Sequence, residues 1–141
     1  METDALGIVR RLMHACDAGD FEALAAMYHP EAEIVGGVLL GRDQEFKGGP
    51  DAVSAAVRRA GERWEEYQTE SEVVEDKDTS DHVLVRSFVQ ARTWGTPLVS
   101  EWISWAVITV RDGLVYRVRV FRTEQEGRLA AGLAVAGDSE I

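Results

Sequence analysis

Arg117 and Arg119 alternate with valines in LVYRVRVFRT, residues 114–123. Two guanidiniums on one strand face make a fork suited to carboxylates, phosphates or enolate-like oxygens. Such a pair needs explaining in a chain of 141 residues with 25 acidic against 15 basic side chains and a formal net charge of −10. Arg86, in an earlier alternating run, is a third candidate, and together Arg86 and Arg119 would stabilise negative charge developing on a bound molecule. Asp43 and Glu45 are the carboxylates placed to move a proton, because they lie in a glycine-rich stretch ahead of a helix, where partial burial would tune one as a base. The competing reading pairs the arginines with internal acids such as Glu33, Asp43 or Glu101, or lays their stems over apolar surface.

Other chemistries find less support. His14, His29 and His82 have no i,i+4 spacing and no accompanying metal motif, so no metal site is expected. Cys16 falls on an apolar helical stripe, where a thiol behaves as a small hydrophobe. The pairs Gly36-Gly37 and Gly48-Gly49 lack a phosphate-loop pattern, and no cofactor is called for. The acidic balance argues against nucleic acid. No apolar run approaches the roughly 18 residues of a membrane span, and METDALGIVRR does not read as a signal peptide. With one cysteine, the expectation is a cytoplasmic protein that touches no membrane.

The elements that must position these groups follow from periodicity. Apolar side chains at 5, 8, 9, 12, 13 and 16 mark a helix over 4–18 that Gly19 stops. A second helix spans about 20–28, with Asp20 as N-cap and Pro30 as its limit. EAEIVGG reads as a strand. A third helix opens at Pro50 and carries Val53, Val57, Ala60, Trp64 and Tyr67 on one stripe. From Thr69 the period becomes two, giving strands near 69–76, 82–93, 98–111 and 114–122. Helices followed by strands indicate α+β, with helices covering one face of an antiparallel sheet. One domain over 1–133 with a tail at 134–141 is expected.

Asp112-Gly113 between two alternating runs predicts a two-residue type I′ hairpin. Counting outward places Ile108 opposite Arg117, Ala106 opposite Arg119 and Ser104 opposite Phe121. Trp102 joins that face, where small residues leave room for a ligand or for a helix. Ile103, Trp105 and Val107 would then share the other face with Tyr116, Val118 and Val120, an apolar surface suited to a second copy of the chain.

Several stretches in order, DAGDFEALAAMYHPEAEI, GGPDAVSAAVRRAGERWEEY, WAVITVRDGLVYRVRVFRT and EGRLAAGL, resemble the SnoaL-like branch of the nuclear transport factor 2-like superfamily. The resemblance implies a curved sheet wrapped around about three helices, a cone with a pocket inside, commonly dimeric through the outer sheet face. It implies little about chemistry, since the scaffold hosts many activities. The positions of the ketosteroid isomerase base, oxyanion tyrosine and protonated aspartate fall on Gly36, Leu12 and Ala106. Those of the limonene epoxide hydrolase Asp–Arg–Asp set fall on Arg86, Phe88 and Arg119, so both sets of catalytic carboxylates are missing. The resemblance also turns Arg119 and Phe121 toward the pocket. The pocket lining is then expected from Arg117, Trp102, Phe121, Tyr28, Trp64, Phe88, Ala106 and Leu12, with Tyr28 and Trp64 on helices. Two functions remain open: a cofactor-independent cyclase, isomerase or hydrolase, and a non-catalytic module that binds a small, partly apolar molecule or another subunit.

Overall fold

The computed structural model describes residues 5–36, 45–74 and 82–132; Asp43 and the tail at 134–141 lie outside them. Four helices and six strands are present: α1 Ala5–Ala18, α2 Phe21–Ala26, β1 Tyr28–Gly36, β2 Glu45–Lys47, α3 Pro50–Arg63, β3 Trp64–Val73, β4 His82–Thr93, β5 Val99–Arg111, β6 Leu114–Phe121 and α4 Glu124–Ala131. The strands form one curled α+β sheet in the order β2-β1-β6-β5-β4-β3. It is mixed rather than antiparallel throughout, because β1 runs parallel to β6.

Helices α1, α2 and α3 lie on one face, here called inner. Leu6, Ile8, Val9 and Leu12 of α1 and Val53 and Ala56 of α3 pack there against Val83, Val85, Ile108, Val110 and Val115. Local signals place the helix ends. Gly19 leaves α1 with φ +69. The Asp20 carboxylate caps α2 by accepting from the Ala23 N–H at 3.1 Å, and Pro50 occupies the first turn of α3.

Two helix ends and one added helix differ from the sequence reading. Helix α2 stops at Ala26, so Tyr28 belongs to β1, and α3 stops at Arg63, so Trp64 and Tyr67 belong to β3. Helix α4 was not anticipated. Its start is a capping box, with the Thr123 hydroxyl accepting from the Glu126 N–H at 3.2 Å, and its end is Gly132 at φ +76.

The β5–β6 hairpin carries the largest correction. Asp112 and Gly113 both adopt positive φ, and Arg111 faces Leu114, as the turn requires. Beyond Val110–Val115 the register then shifts, so that Thr109 faces Arg117, Ile108 faces Val118, Val107 faces Arg119, Ala106 faces Val120 and Trp105 faces Phe121. Tyr116 is the extra residue of a β-bulge, and a one-residue slip exchanges the faces of everything beyond it. Val118 therefore packs toward the inner core beside Ile108. Arg117, Arg119 and Phe121 lie on the opposite, outer face with Trp105 and Val107. The proposed all-apolar face uniting Trp105, Val118 and Val120 does not exist.

Candidate functional site

On the outer face, α4 covers Leu84 and Val107, with Trp105 and Phe121 packed beside them. The arginines there have structural occupations. Arg117 pairs with Glu33 across the parallel β1–β6 ladder. Arg86 lies 2.6 Å from Glu72 and above the Trp105 ring. Arg119 extends beside Phe121 and reaches the Ala130 carbonyl at 3.5 Å. That carbonyl belongs to the last turn of α4, where backbone acceptors lack intrahelical donors and a cation is favoured. The expectation that Arg86, Arg117 and Arg119 converge within the cone is thus corrected. Phe88, 38 % exposed, and Phe121 share their outer face.

The inner face holds a different set. Strands β3, β4 and β5 align without interruption here, so Ser71 faces Ser87 and Ser87 faces Ser104. This row of serines crosses three strands. On one side of it lie Val73, Val85 and Ala106, on the other Thr69, Val89 and Trp102. The Asp17 carboxylate at the end of α1 reaches across to this sheet. It accepts from the Thr69 hydroxyl at 2.7 Å, the Ser71 hydroxyl at 3.0 Å and the Ser71 N–H at 3.1 Å. Ser71 and Ser87 hydroxyls are 2.9 Å apart.

Val85, Val89 and Ile108 along these strands are buried, yet Ser71, Ser87, Ser104, Ala106 and Trp102 are only half-buried. The helix layer therefore covers this part of the sheet less completely than it covers Val85, Val89 and Ile108. Cys16 precedes Asp17 at the end of α1. Its surface is exposed, yet crowding withdraws enough water from the thiol to push its pKa up to about 12, with the Asp17 charge adding to the effect. The expectation of a buried apolar Cys16 is corrected accordingly. Burial, and then proximity to Cys16, also raises the phenols of Tyr28 and Tyr67.

Trp64 lies further along the same face, at the start of β3 and opposite Thr93. It is 7 % exposed and lies against Trp102 with ring centroids 5.6 Å apart. Its Nε1–H is buried with no acceptor among the described residues. An indole N–H can only donate, and a buried donor without a partner is a costly exception in folded proteins.

Of the residues singled out from the sequence, Trp64, Trp102 and Ala106 therefore come together on the inner face. Tyr28 and Leu12 are buried in the core nearby. Glu45 opens β2, its backbone opposite Val35. Asp17, Tyr67, Thr69, Ser71 and Ser87 were not anticipated, since only the strand register joins residues so far apart in the chain. His29 approaches Asp112 at 3.7 Å and His82 contacts Thr109 at 2.9 Å. Among the described residues no three His, Cys, Asp or Glu side chains group as metal ligands. None of the described helices is long and apolar enough to cross a membrane.

A curled, unclosed mixed sheet of six strands with four helices among the described residues is the architecture of the nuclear transport factor 2-like folds. The chain belongs to the SnoaL-like domain family, whose model matches residues 9–118. No curated protein matches it. Among solved structures, an NTF2-like protein from Burkholderia thailandensis superposes with a TM-score of 0.74 at 21% identity, over 86% of this chain and 91% of that one. A protein with a ketosteroid isomerase-like fold from Catenulispora acidiphila, in complex with trimethylamine, gives 0.64 at 12% identity, over 90% and 93%. An LEH-like epoxide hydrolase of M. tuberculosis gives 0.62 at 17% identity, over 90% of each chain. At these identities the likeness establishes the fold.

Proposed function

We propose that the protein binds a small, partly apolar organic molecule in the recess between α1 and the inner face of β3–β5. The observation that carries this reading is that Ser71, Ser87, Ser104, Ala106 and Trp102 stay only half-buried beside the fully buried Val85, Val89 and Ile108 of the same strands. Trp64 and Trp102 supply aromatic contact area, and the Trp64 N–H supplies a donor awaiting an acceptor oxygen or nitrogen. Titration with small hydroxylated aromatic and alicyclic compounds, followed by tryptophan fluorescence, is expected to give saturable quenching that Trp102→Ala abolishes. Quenching unchanged in Trp102→Ala would refute the location.

The second reading is a cofactor-independent cyclase, isomerase or hydrolase working in the same recess. It is favoured by the Asp17 carboxylate, which is exposed beside the hydroxyl row. Asp43 and Glu45 remain proposed proton carriers within it, while Arg86 and Arg119 have no part. Proton NMR of a bound compound after incubation separates the two readings, since isomerisation changes the spectrum without changing the mass: a binding module returns the compound with its spectrum unchanged.

We also propose that two copies pair through the part of the outer face that α4 leaves uncovered. Phe88 and Ile103 are exposed there at 38 % and 39 %, beside the oppositely charged Arg86 and Glu72, which suits a self-complementary contact. Sedimentation at micromolar concentration is expected to show twice the mass of one chain. Sedimentation as a single chain would remove the proposal.

A further inference from the structure

The hydrogen bonds along the serine row have a direction, and Asp17 sets it. A carboxylate accepts only. The proton between Asp17 Oδ1 and Ser71 Oγ, 3.0 Å apart, therefore comes from Ser71. A hydroxyl has a single proton, so Ser71 cannot also donate to Ser87. The 2.9 Å contact between their Oγ atoms must be a donation from Ser87 to Ser71. Ser87 has then used its own proton, and its partly exposed oxygen is left able only to accept. Ser104 lies directly opposite on β5.

We propose that the Asp17–Ser71–Ser87 chain leaves the Ser87 oxygen able only to accept, so that ligands placing an O–H or N–H donor on it, such as a phenol or alcohol, are selected over their ethers. This rests on the recess being the binding site. It adds a preference that neither the fold nor the hydrophobic lining would supply, since an uncommitted serine hydroxyl rotates to suit either kind of partner.

The direction can be reversed by one substitution. Asp17 Oδ2 accepts the Ser71 N–H at 3.1 Å, and a backbone donor cannot turn round. In Asp17→Asn the amide oxygen must keep that position, because the amide nitrogen there would set donor against donor. The NH2 group then faces Thr69 and Ser71 and donates to both hydroxyls. Ser71 is left to donate to Ser87, and Ser87 to donate to the ligand.

The probes are 2-naphthol and its methyl ether, 2-methoxynaphthalene, which differ in the donor. Calorimetric titration of the wild type is expected to give about tenfold tighter binding of the naphthol, the worth of one hydrogen bond. Asp17→Asn is expected to bring the two within about twofold. So is Ser87→Ala, which leaves the Asp17–Ser71 tether in place and guards against misfolding of the first variant. Equal wild-type binding of both probes would overturn the directional chain while leaving the recess standing, as would a tenfold preference that survives in either folded variant. Binding of neither probe would overturn the recess reading and this inference with it.

Discussion

Gly49→Ala is expected to destabilise the protein by about 3–5 kcal/mol, from backbone strain and overpacking acting together. Gly49 has φ +63 and ψ −122, a region that only glycine enters readily. A Cβ there would lie 2.5 Å from the His29 carbonyl oxygen and 2.8 Å from that of Pro30. Both obstacles are backbone, so neither rotates away. The close approach exists because Gly49 joins β1 to α3: its N–H donates to the Ala32 carbonyl at 3.0 Å, while its own carbonyl accepts from Ala52 and Val53. Separating these segments would lift Val53 and Ala56 from the inner core. Gly19→Ala is the control, since it has a comparable φ of +69 but nothing within 4 Å of an added Cβ. It is expected to cost about 1 kcal/mol. Urea unfolding of both variants measures the difference, and equal losses would show that the β1–α3 junction is not close-packed.

Gly127→Val is expected to cost about 2–3 kcal/mol by driving α4 off the outer face. An added Cβ at Gly127 meets Leu84 Cδ1 at 2.9 Å and Trp105 Cβ at 3.3 Å. Leu84 is 2 % exposed and has little room to yield. Valine also adds two methyl groups at this contact and lacks the helix propensity of alanine. Loss of the α4 seat frees Arg119 from the Ala130 carbonyl and uncovers Val107. Chemical unfolding measures the stability, and near-ultraviolet circular dichroism of Trp105 reports the local repacking. An unchanged unfolding midpoint would mean that α4 does not pack here as described.

The parts legible in the sequence are those set by local chemistry. The Asp20 cap, the Gly19 stop, Pro50 at the start of α3, the Asp112-Gly113 turn and the span of β4 all depend on residues within a few positions of one another. Misreadings arose where a bulge imitated another period. A register shift between Trp64 and Glu66 leaves Trp64 and Tyr67 three positions apart on the inner face of β3, the spacing of a helical stripe, so α3 was extended through them. The Tyr116 bulge moved Arg117 and Arg119 to the outer face. Bulges depend on pairing with a neighbouring strand and leave no mark in the residue types alone. Ala106 and Trp102 were placed on the recess face because they lie before the hairpin turn on β5. The serine row was invisible because its members come from three strands and its anchor, Asp17, from a helix 54 residues before Ser71.

Of the arginines that first suggested an anion site, Arg117 pairs with Glu33 and Arg86 with Glu72, while Arg119 reaches the end of α4 and keeps a buried Nε–H with no acceptor among the described residues. The site proposed above lies on the opposite side of the sheet, beside a row of hydroxyls, two tryptophans and one carboxylate. The outer face offers a competing hollow of about 490 Å³ beside Arg86, Ile103 and Trp105. A crystal structure after soaking with 2-naphthol decides between the two sides. The expected result is density over Ser87 and Trp102 on the inner face, with the naphthol oxygen within hydrogen-bond distance of Ser87 Oγ. Density confined to the outer hollow beside Arg86 and Trp105, with the inner recess filled only by water, would contradict the account.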